Sequence, residues 1–220
     1  YYGPLLGAER VRSAVRVLVD ILRLRDCPST TPMRLADQAD LFRPELVPRC
    51  SRAELHRCLA PCAAGCTEQG YARRLAVARA FLRGETDEPL VRLRAHRDRA
   101  VDRWLFEYAR VVQERLELLD SVRASLLRME RALSTLSAIY AVPGHVDEDR
   151  VYVLQRGRVR AELPAPRDRR ERETLDRRVR RLLGSPPPPL PRIGSDGIAE
   201  TLLVERWFRR RPEERDRLKS

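Results

Sequence analysis

The sequence is poor in aromatic residues, has a single lysine and contains no long apolar run. Aromatic residues make up 5% of its 220 residues although 43% are hydrophobic, a balance that favours helices over sheets. No apolar stretch reaches the roughly 18 residues that a membrane-spanning helix needs, and no secretory signal precedes the first predicted helix. We therefore expect a soluble, cytoplasmic chain with one or two small domains and no membrane partner.

Because Lys219 is the only lysine among 44 basic residues, nearly all the positive charge is carried by arginine. The net charge of +12 indicates a polyanionic partner, since arginine pairs with phosphate oxygens and stacks on bases. A GC-rich genome would produce the same arginine preference without such a partner. The charge therefore points to nucleic acid for the chain as a whole and leaves the role of each arginine open.

The five cysteines are confined to residues 27–66, and four of them lie between Cys50 and Cys66. Structural thiols are usually scattered through a core, so this clustering predicts a metal or iron–sulfur site, with plain buried thiols as the alternative. An odd cysteine count without a secretory signal argues against a disulfide framework. Thiolates suit both zinc and iron–sulfur clusters, and the lack of cysteine pairs two residues apart weakens zinc without excluding it.

Apolar spacing and capping residues predict the helices around the cysteines. Residues 9–24 carry apolar side chains at helical spacing and predict the first helix. Ser51 begins a capping-box signal for a short helix, with Cys50 just before it and Cys58 near its end. Thr67 is placed to cap the next helix, which we expect to end at Gly84.

Two further patterns predict the rest of the fold. A seven-residue apolar spacing from Val112 to Leu136 predicts a long helix packed along a partner helix, and the preceding helix of the chain is the simplest such partner. Alternating segments after residue 138 predict strands, with Gly157 at a hairpin turn. The chain is therefore predicted to be mainly α with a small antiparallel β-sheet, an α+β fold. The predicted domains are the end of a preceding domain with a cysteine-rich domain (1–84), a helical hairpin (85–137), a small sheet with a basic helix (138–183), and a proline-rich linker with a last amphipathic helix (184–220).

Several local features follow one another in the order seen in the UvrC family. They are the opening Tyr1-Tyr2-Gly3-Pro4, the helix exit Leu24–Cys27, the Cys50-x7-Cys58-x3-Cys62 spacing with Pro61, and the Tyr71 helix that ends in Phe81–Gly84. The sequence thus resembles the endonuclease subunit of nucleotide excision repair and the shorter UvrC-like nucleases, including those fused to a proofreading-type exonuclease. In that family these residues follow the GIY-YIG nuclease domain. The resemblance implies a segment of a longer protein whose catalytic residues lie before Tyr1, and we assign no catalytic residue here.

The resemblance also implies a [4Fe–4S] cluster. Its ligands would be Cys27, Cys50, Cys58 and Cys62. The gap from Cys27 to Cys50 is longer than expected of the family, and Cys66 is left as a substitute ligand or a bystander. A lone histidine on an arginine-flanked helix is usually solvated, so His56 is not assigned as a ligand.

The hairpin resembles the UVR motif, through which UvrC-type proteins meet UvrB. The resemblance implies that Phe106, Glu107 and Ala109 bind a UvrB-like partner. Trp104 replaces a smaller residue of the motif, and Gln113-Glu114 stands where the motif usually has an Arg-Asp pair. These departures leave the identity of the partner open.

Two arginine-rich stretches near the end of the chain are candidate DNA contacts, although a solvated helix surface would have the same composition. Residues 147–149 are acidic but fall in a predicted turn, so they are not assigned to a nuclease metal site. The candidate nucleic-acid-binding residues are Arg177, Arg178, Arg180, Arg181, Arg209, Arg210 and Arg211.

The leading hypothesis is the non-catalytic central and C-terminal part of a UvrC-like DNA-repair endonuclease. Such a part would hold an iron–sulfur cluster, bind DNA and dock a UvrB-like protein. The alternative is a zinc-stabilised helical adaptor that binds other proteins through the long heptad helix, without a nuclease context.

Overall fold

The computed structural model describes residues 2, 5–38, 50–145, 148–184 and 194–219. It divides into two compact units: an N-terminal unit, Gly7–Ala124, and a C-terminal unit, Ser125–Ser220 together with Tyr1–Leu6. The described residues are mainly helical with one three-stranded antiparallel sheet, which confirms the predicted α+β class. The four-part domain division stays a prediction.

Three predicted features fall outside the described residues. They are most of the Tyr1–Pro4 opening, the proline run of the linker and Asp147 in the acidic turn. Within the part of the chain that the structure describes, no helix combines the length and the apolar character needed to cross a membrane.

The N-terminal unit is built from helices that surround the cysteine segment. They are α1 (Ala8–Leu22), the 3-10 helix η1 (Ala36–Gln38), α2 (Ser51–Glu54), α3 (Glu68–Leu82), α4 (Glu88–Asp102) and the first part of α5 (Phe106–Thr135). Its main core joins α1, α3, α4 and α5, with Phe81 and Leu22 fully buried. Val112 and Leu119 of the predicted heptad seam belong to this core, so this part of the seam packs within the unit.

Two local predictions meet different outcomes. The Thr67 cap is confirmed, because its Oγ1 accepts a hydrogen bond from Gly70 N–H at 3.1 Å. The short helix after Cys50 is confirmed as α2, but the Ser51 capping box is wrong, because Cys50 is the N-cap and makes no side-chain cap bond. The helix is also shorter than predicted and ends at Glu54, before Cys58. The chain leaves the helix because His56 adopts a left-handed conformation (φ 55°), which cannot continue a right-handed helix.

The C-terminal unit is a three-stranded meander covered by helices on both faces. Its elements are β1 (Ala138–Val142), β2 (Arg150–Gln155), β3 (Arg158–Pro164), α6 (Arg169–Gly184), α7 (Ser195–Arg210) and α8 (Pro212–Arg215). Val153 points to one face and packs with Val179 of α6, while the next residue, Leu154, packs on the other face with Phe208 of α7. Gly157 (φ 74°) lies in the β2–β3 turn as predicted.

Candidate cysteine centre and cationic surfaces

The segment from His56 to Cys66, the cysteine loop, is fixed by backbone hydrogen bonds to another part of the N-terminal unit. Arg34 N–H donates to the Pro61 carbonyl at 2.7 Å, and Ala64 N–H donates to the Arg34 carbonyl at 2.8 Å. Pro61 is fully buried, and it blocks a helix through the loop because proline has no N–H to donate. These hydrogen bonds and the buried proline hold the cysteine loop in one conformation.

The cysteine loop is wound unusually tightly. Three of its non-glycine residues, His56, Ala60 and Ala64, have left-handed backbone angles (φ 55°, 51° and 55°). A Cβ added to Gly65 would lie 2.6 Å from the Leu59 carbonyl oxygen, so only glycine fits there. Left-handed residues of this kind cost about 1 kcal/mol or more each and concentrate at functional sites. The cysteine loop is therefore held in a conformation that its backbone alone does not favour.

Cys58 is the buried thiol of the loop, and it lies near other thiols. Burial raises the pKa of Cys58, the N–H of Ala60 and the charge of Arg52 lower it, and the neighbouring Cys50 and Cys62 raise it further. The Ala60 N–H lies 3.4 Å from the Cys58 sulfur. The thiols of Cys50 and Cys62 are therefore near enough to Cys58 to influence its pKa.

Cys66 belongs to the same neighbourhood. Burial raises the pKa of its thiol, and the charges of Cys58, Asp37 and Cys62 raise it further. Cys27 is half-buried beyond the end of α1. The thiol of Cys66 thus interacts electrostatically with those of Cys58 and Cys62.

Arg52 connects three segments of this centre. Its guanidinium pairs with Asp20 of α1 at 2.7 Å and with Asp26, next to Cys27, at 3.0 Å. It also donates to the carbonyls of Leu24 (3.4 Å) and Arg57 (3.2 Å). Burial lowers the pKa of Arg52, but the hydrogen bond and charge of Asp20 and the charge of Asp26 outweigh burial and raise it. The Arg52 network therefore fixes the exit of α1 beside the cysteine loop.

The thiols suit a soft metal centre by chemistry, since four or five thiolates are available in one part of the fold. Their arrangement is looser than a formed site. Among the residues that the structure describes, no group of three or more Cys, His, Asp or Glu side chains is placed to hold a metal ion. The residue types fit the cluster that the family resemblance implies, whereas the geometry of a metal site is not formed, and the ligand set stays a prediction.

The turn of the α4–α5 hairpin carries an exposed apolar cluster, the hairpin tip. Trp104 is 80% exposed with a left-handed backbone, and its ring meets Phe106 edge-on at 5.9 Å. Glu107 is also exposed, whereas Ala109 is 6% exposed and presents little surface to a partner. The hairpin tip consists of Val101, Trp104, Leu105, Phe106 and Tyr108.

The predicted DNA-contacting arginines of α6 lie on its solvent side. Arg177, Arg178, Arg180 and Arg181 are exposed, while Val179 between them is buried. The side chain of Arg177 donates to Thr174 Oγ1 at 3.2 Å and that of Arg180 to the Asp176 carbonyl at 3.4 Å, both within α6.

The arginines at the end of α7 are more engaged with their own unit. Arg209 pairs with Glu205 at 3.1 Å, and the Arg211 guanidinium lies 3.8 Å from the centre of the Trp207 ring. Arg210 is exposed. Two of these three arginines therefore already contact a side chain of α7.

Sequence reasoning missed a cleft of about 510 Å³ in the N-terminal unit, the cationic cleft. Its basic lining comes from four segments that are far apart in the chain, so no local run of charge marks it. One signal was available: the basic residues 92, 96, 99 and 103 of α4 and the turn after it recur at a spacing of three or four. The arginines that line the cleft are Arg23, Arg57, Arg92, Arg99 and Arg115.

Comparisons with known proteins bear on the chain as follows. No protein-family model matches it, and no solved structure matches it. UvrABC system protein C of Methylobacillus flagellatus is 30% identical over 124 residues, which are 56% of this chain and 19% of that protein. The proteins of the same name from Salmonella agona and Alcanivorax borkumensis are each 28% identical over 123 residues, 56% of this chain and 18% of each relative. The chain thus spans about a fifth of the length of these relatives. A region that covers 56% of the chain is therefore UvrC-like.

Proposed function

We propose that this chain is a non-catalytic part of a UvrC-like DNA-repair endonuclease, which holds an iron–sulfur cluster, contacts DNA and docks a UvrB-like protein in the cytoplasm. The observation that carries the proposal is the 28–30% identity to UvrABC system protein C over 56% of the chain. The matched part is about a fifth of those relatives, so the activity of the whole protein is transferred only as a proposal.

The cluster would be held by Cys27, Cys50, Cys58 and Cys62. When bound, a [4Fe–4S] cluster joins its thiolate ligands into one cross-link. The fold supports this role in two ways: the Ala60 N–H bonds the Cys58 sulfur, and the Arg52 network brings the segment next to Cys27 to the cysteine loop. Cys66 is the alternative fourth ligand, because its thiol interacts with those of Cys58 and Cys62.

Anaerobic purification of the whole chain tests the cluster and its ligands. We expect a brown protein with a broad charge-transfer absorption band and iron and sulfide in equal amounts. The variants Cys58→Ser and Cys27→Ser should each lose the iron. The matched variant Cys66→Ser should keep it. The reverse result for the last two variants would replace Cys27 by Cys66 as ligand. A colourless protein that holds stoichiometric zinc would favour the adaptor instead.

The docking surface would be the hairpin tip together with Glu107. Its exposed rings bury apolar area on binding, and aromatic side chains dominate the energetics of most interfaces. Titration with a purified UvrB protein by calorimetry should show roughly tenfold weaker binding for Trp104→Ala with Phe106→Ala. Val91→Ala, at an exposed apolar residue elsewhere on α4, should leave the affinity unchanged. Equal losses for both variants would contradict docking at the tip.

The DNA contacts would include the exposed arginines of α6 and the end of α7. Fluorescence anisotropy with labelled duplex DNA should show binding that weakens steeply with salt. Because the proposal gives no residue of the chain a catalytic role, a plasmid incubated with it and magnesium should remain supercoiled. Nicking by a pure sample would contradict this part of the proposal. The candidate arginines are Arg177, Arg178, Arg180, Arg181, Arg209, Arg210 and Arg211.

A further inference from the structure

The cationic cleft brings positive charges together without matching negative ones. Asp20 is the acidic residue of its lining, and it pairs with Arg52 outside the cleft. Glu88 pairs with Arg92. Within the described residues, no ion pair is made by the other four arginines of the cleft, Arg23, Arg57, Arg99 and Arg115.

This convergence of positive charge makes the cleft attractive to an anion. Like charges that face one space repel each other, and the cost falls when a ligand of opposite charge binds. The arginines come from the end of α1, the cysteine loop, α4 and α5, so they cannot be explained as the solvated face of one helix. A fold that collects them from four segments has the features of an anion site.

The shape of the charged surface is elongated. Arg92, His96, Arg99 and Arg103 follow each other at a spacing of three or four residues, which places their Cα atoms along one side of α4 and the turn beyond it. A smaller recess shares His96 and Arg99 with the cleft and adds Arg103. At 1.5 Å per residue this track is roughly 16 Å long, about five steps of 3.4 Å along a DNA strand.

Length and side-chain type favour nucleic acid over a small anion. A free phosphate ion would need only two or three guanidinium groups at one point, whereas these groups follow a line. Arginine is also the residue whose planar fork binds two phosphate oxygens at once. We propose that the cationic cleft of the N-terminal unit binds the phosphodiester backbone of duplex DNA. This inference rests on the proposed function, because that function identifies the polyanion as DNA. It adds a DNA contact made by residues outside α6 and α7.

Paired variants with equal change of net charge test the cleft in the whole chain. Arg99→Gln with Arg115→Gln removes two cleft charges. Arg73→Gln with Arg94→Gln removes two charges from α3 and α4 that do not line the cleft. The probe is a labelled short duplex of random sequence, measured by anisotropy over a range of salt concentrations.

We expect the cleft pair to weaken binding roughly tenfold or more and to reduce the slope of log affinity against log salt by about 2. The control pair should leave the slope unchanged. Arg99→Lys with Arg115→Lys keeps the charge and should retain the wild-type slope, which separates loss of contact from loss of fold.

The possible results distinguish this inference from the proposed function. Equal losses for the cleft pair and the control pair would mean that only net charge matters, and would overturn the cleft as a site. Normal binding by the cleft pair, with loss on substitution of the α6 arginines, would also overturn it but would leave the proposed DNA contact intact. Wild-type protein that binds no duplex would overturn both statements about DNA and leave the cluster and docking tests standing.

His96 provides a direct reporter inside the cleft. Burial lowers its pKa, and the charges of Arg99 and Arg92 lower it further. A phosphate bound beside the imidazole would favour the protonated form, so the pKa of His96 should rise in the DNA complex. An NMR titration of the histidine ring with and without duplex measures this shift, and an unchanged pKa in the saturated complex would overturn the proposal. The charged and titratable groups of the cleft that surround His96 are Asp20, Arg23, Arg57, Tyr108 and Arg115, with His56 on the cysteine loop.

Discussion

The cationic cleft of the N-terminal unit and helix α6 of the C-terminal unit use arginine in different ways. In the N-terminal unit, five arginines from separate segments converge on the cationic cleft, and Arg52 ties segments together. In the C-terminal unit, the arginines of α6 lie on one helix, and Arg177 and Arg180 bond to groups of that same helix. The arginines of α6, which are close together in the sequence, are therefore spread over one helix, whereas those of the cleft are far apart in the sequence and converge in space.

The reason for the contrast is helix geometry. Successive residues of an α-helix point about 100° apart, so a continuous run of arginines spreads its charges around the axis. In α6 the buried Val179 fixes which side faces the sheet, and the arginines take what remains. A cleft needs side chains from several elements, because only tertiary folding can aim them at one space. A dense run of arginines in a sequence thus predicts a charged surface, whereas arginines that converge from several elements indicate a binding site.

The largest effect is expected from Arg52→Ala. It removes the ion pairs to Asp20 and Asp26 and the hydrogen bonds to two carbonyls, and it leaves Asp20 partly buried without a partner. We expect a loss of about 2 kcal/mol in the free energy of unfolding, measured by urea denaturation. Hydrogen exchange should locate the loosened amides at the end of α1 and in the cysteine loop. Arg57→Ala, whose side chain makes no ion pair among the described residues, is the matched control, and an equal loss there would contradict this role of Arg52.

Arg123 is also held in the N-terminal unit by several contacts. Its side chain is 10% exposed, pairs with Asp87 and lies 4.6 Å from the centre of the Phe81 ring. Arg123→Ala should cost about 1.5 kcal/mol, because it removes packing and a cation–π contact. Arg123→Met should cost much less, since methionine keeps the packing and removes a buried Nε that has no hydrogen-bond partner. Similar losses for both variants in urea denaturation would show that the charge matters more than the packing.

In the C-terminal unit a comparable tie is made by a tyrosine. Tyr140 of β1 is buried, packs edge-on against Phe208 at 5.1 Å and donates its hydroxyl to Glu214 of α8 at 2.9 Å. Tyr140→Phe should therefore cost about 1 kcal/mol.

The same tyrosine predicts a pH dependence. Burial and the hydrogen bond to Glu214 raise the pKa of Tyr140 in the folded state. Its contribution is therefore fully present below the unfolded pKa of about 10 and is lost as the pH rises through the folded pKa. Wild type should lose stability above pH 10 more steeply than Tyr140→Phe in thermal unfolding followed by circular dichroism. Parallel curves would show that Tyr140 does not ionise on unfolding.

The sequence predicted those parts of the fold that depend on near neighbours. Gly157 was expected in a hairpin turn and has a positive φ there, while a Cβ would lie 2.8 Å from Thr201 Cγ2. Val112 and Leu119 were expected in a packed seam and are buried. Turn chemistry and helical periodicity are local properties, so they are visible in a few consecutive residues.

What depends on tertiary folding escaped prediction. Nothing in the sequence around His56 shows that its left-handed backbone ends α2 early, and Ala109 could not be recognised as buried. The cationic cleft was missed because its arginines lie far apart along the chain, from Arg23 to Arg115. The cysteine site was predicted from spacing and stays a prediction, and the choice between Cys27 and Cys66 depends on how distant segments meet.

The smallest effect is expected from Arg177→Ala in α6. Its hydrogen bond to Thr174 lies within one turn of the same helix, so the substitution separates no elements. Alanine is also the best helix former, which offsets the lost contact. The free energy of unfolding should stay within about 0.5 kcal/mol of wild type in urea denaturation, as for most surface substitutions. A loss comparable to that of Arg52→Ala would mean that α6 arginines also hold separate segments together, and the contrast between the two units would disappear.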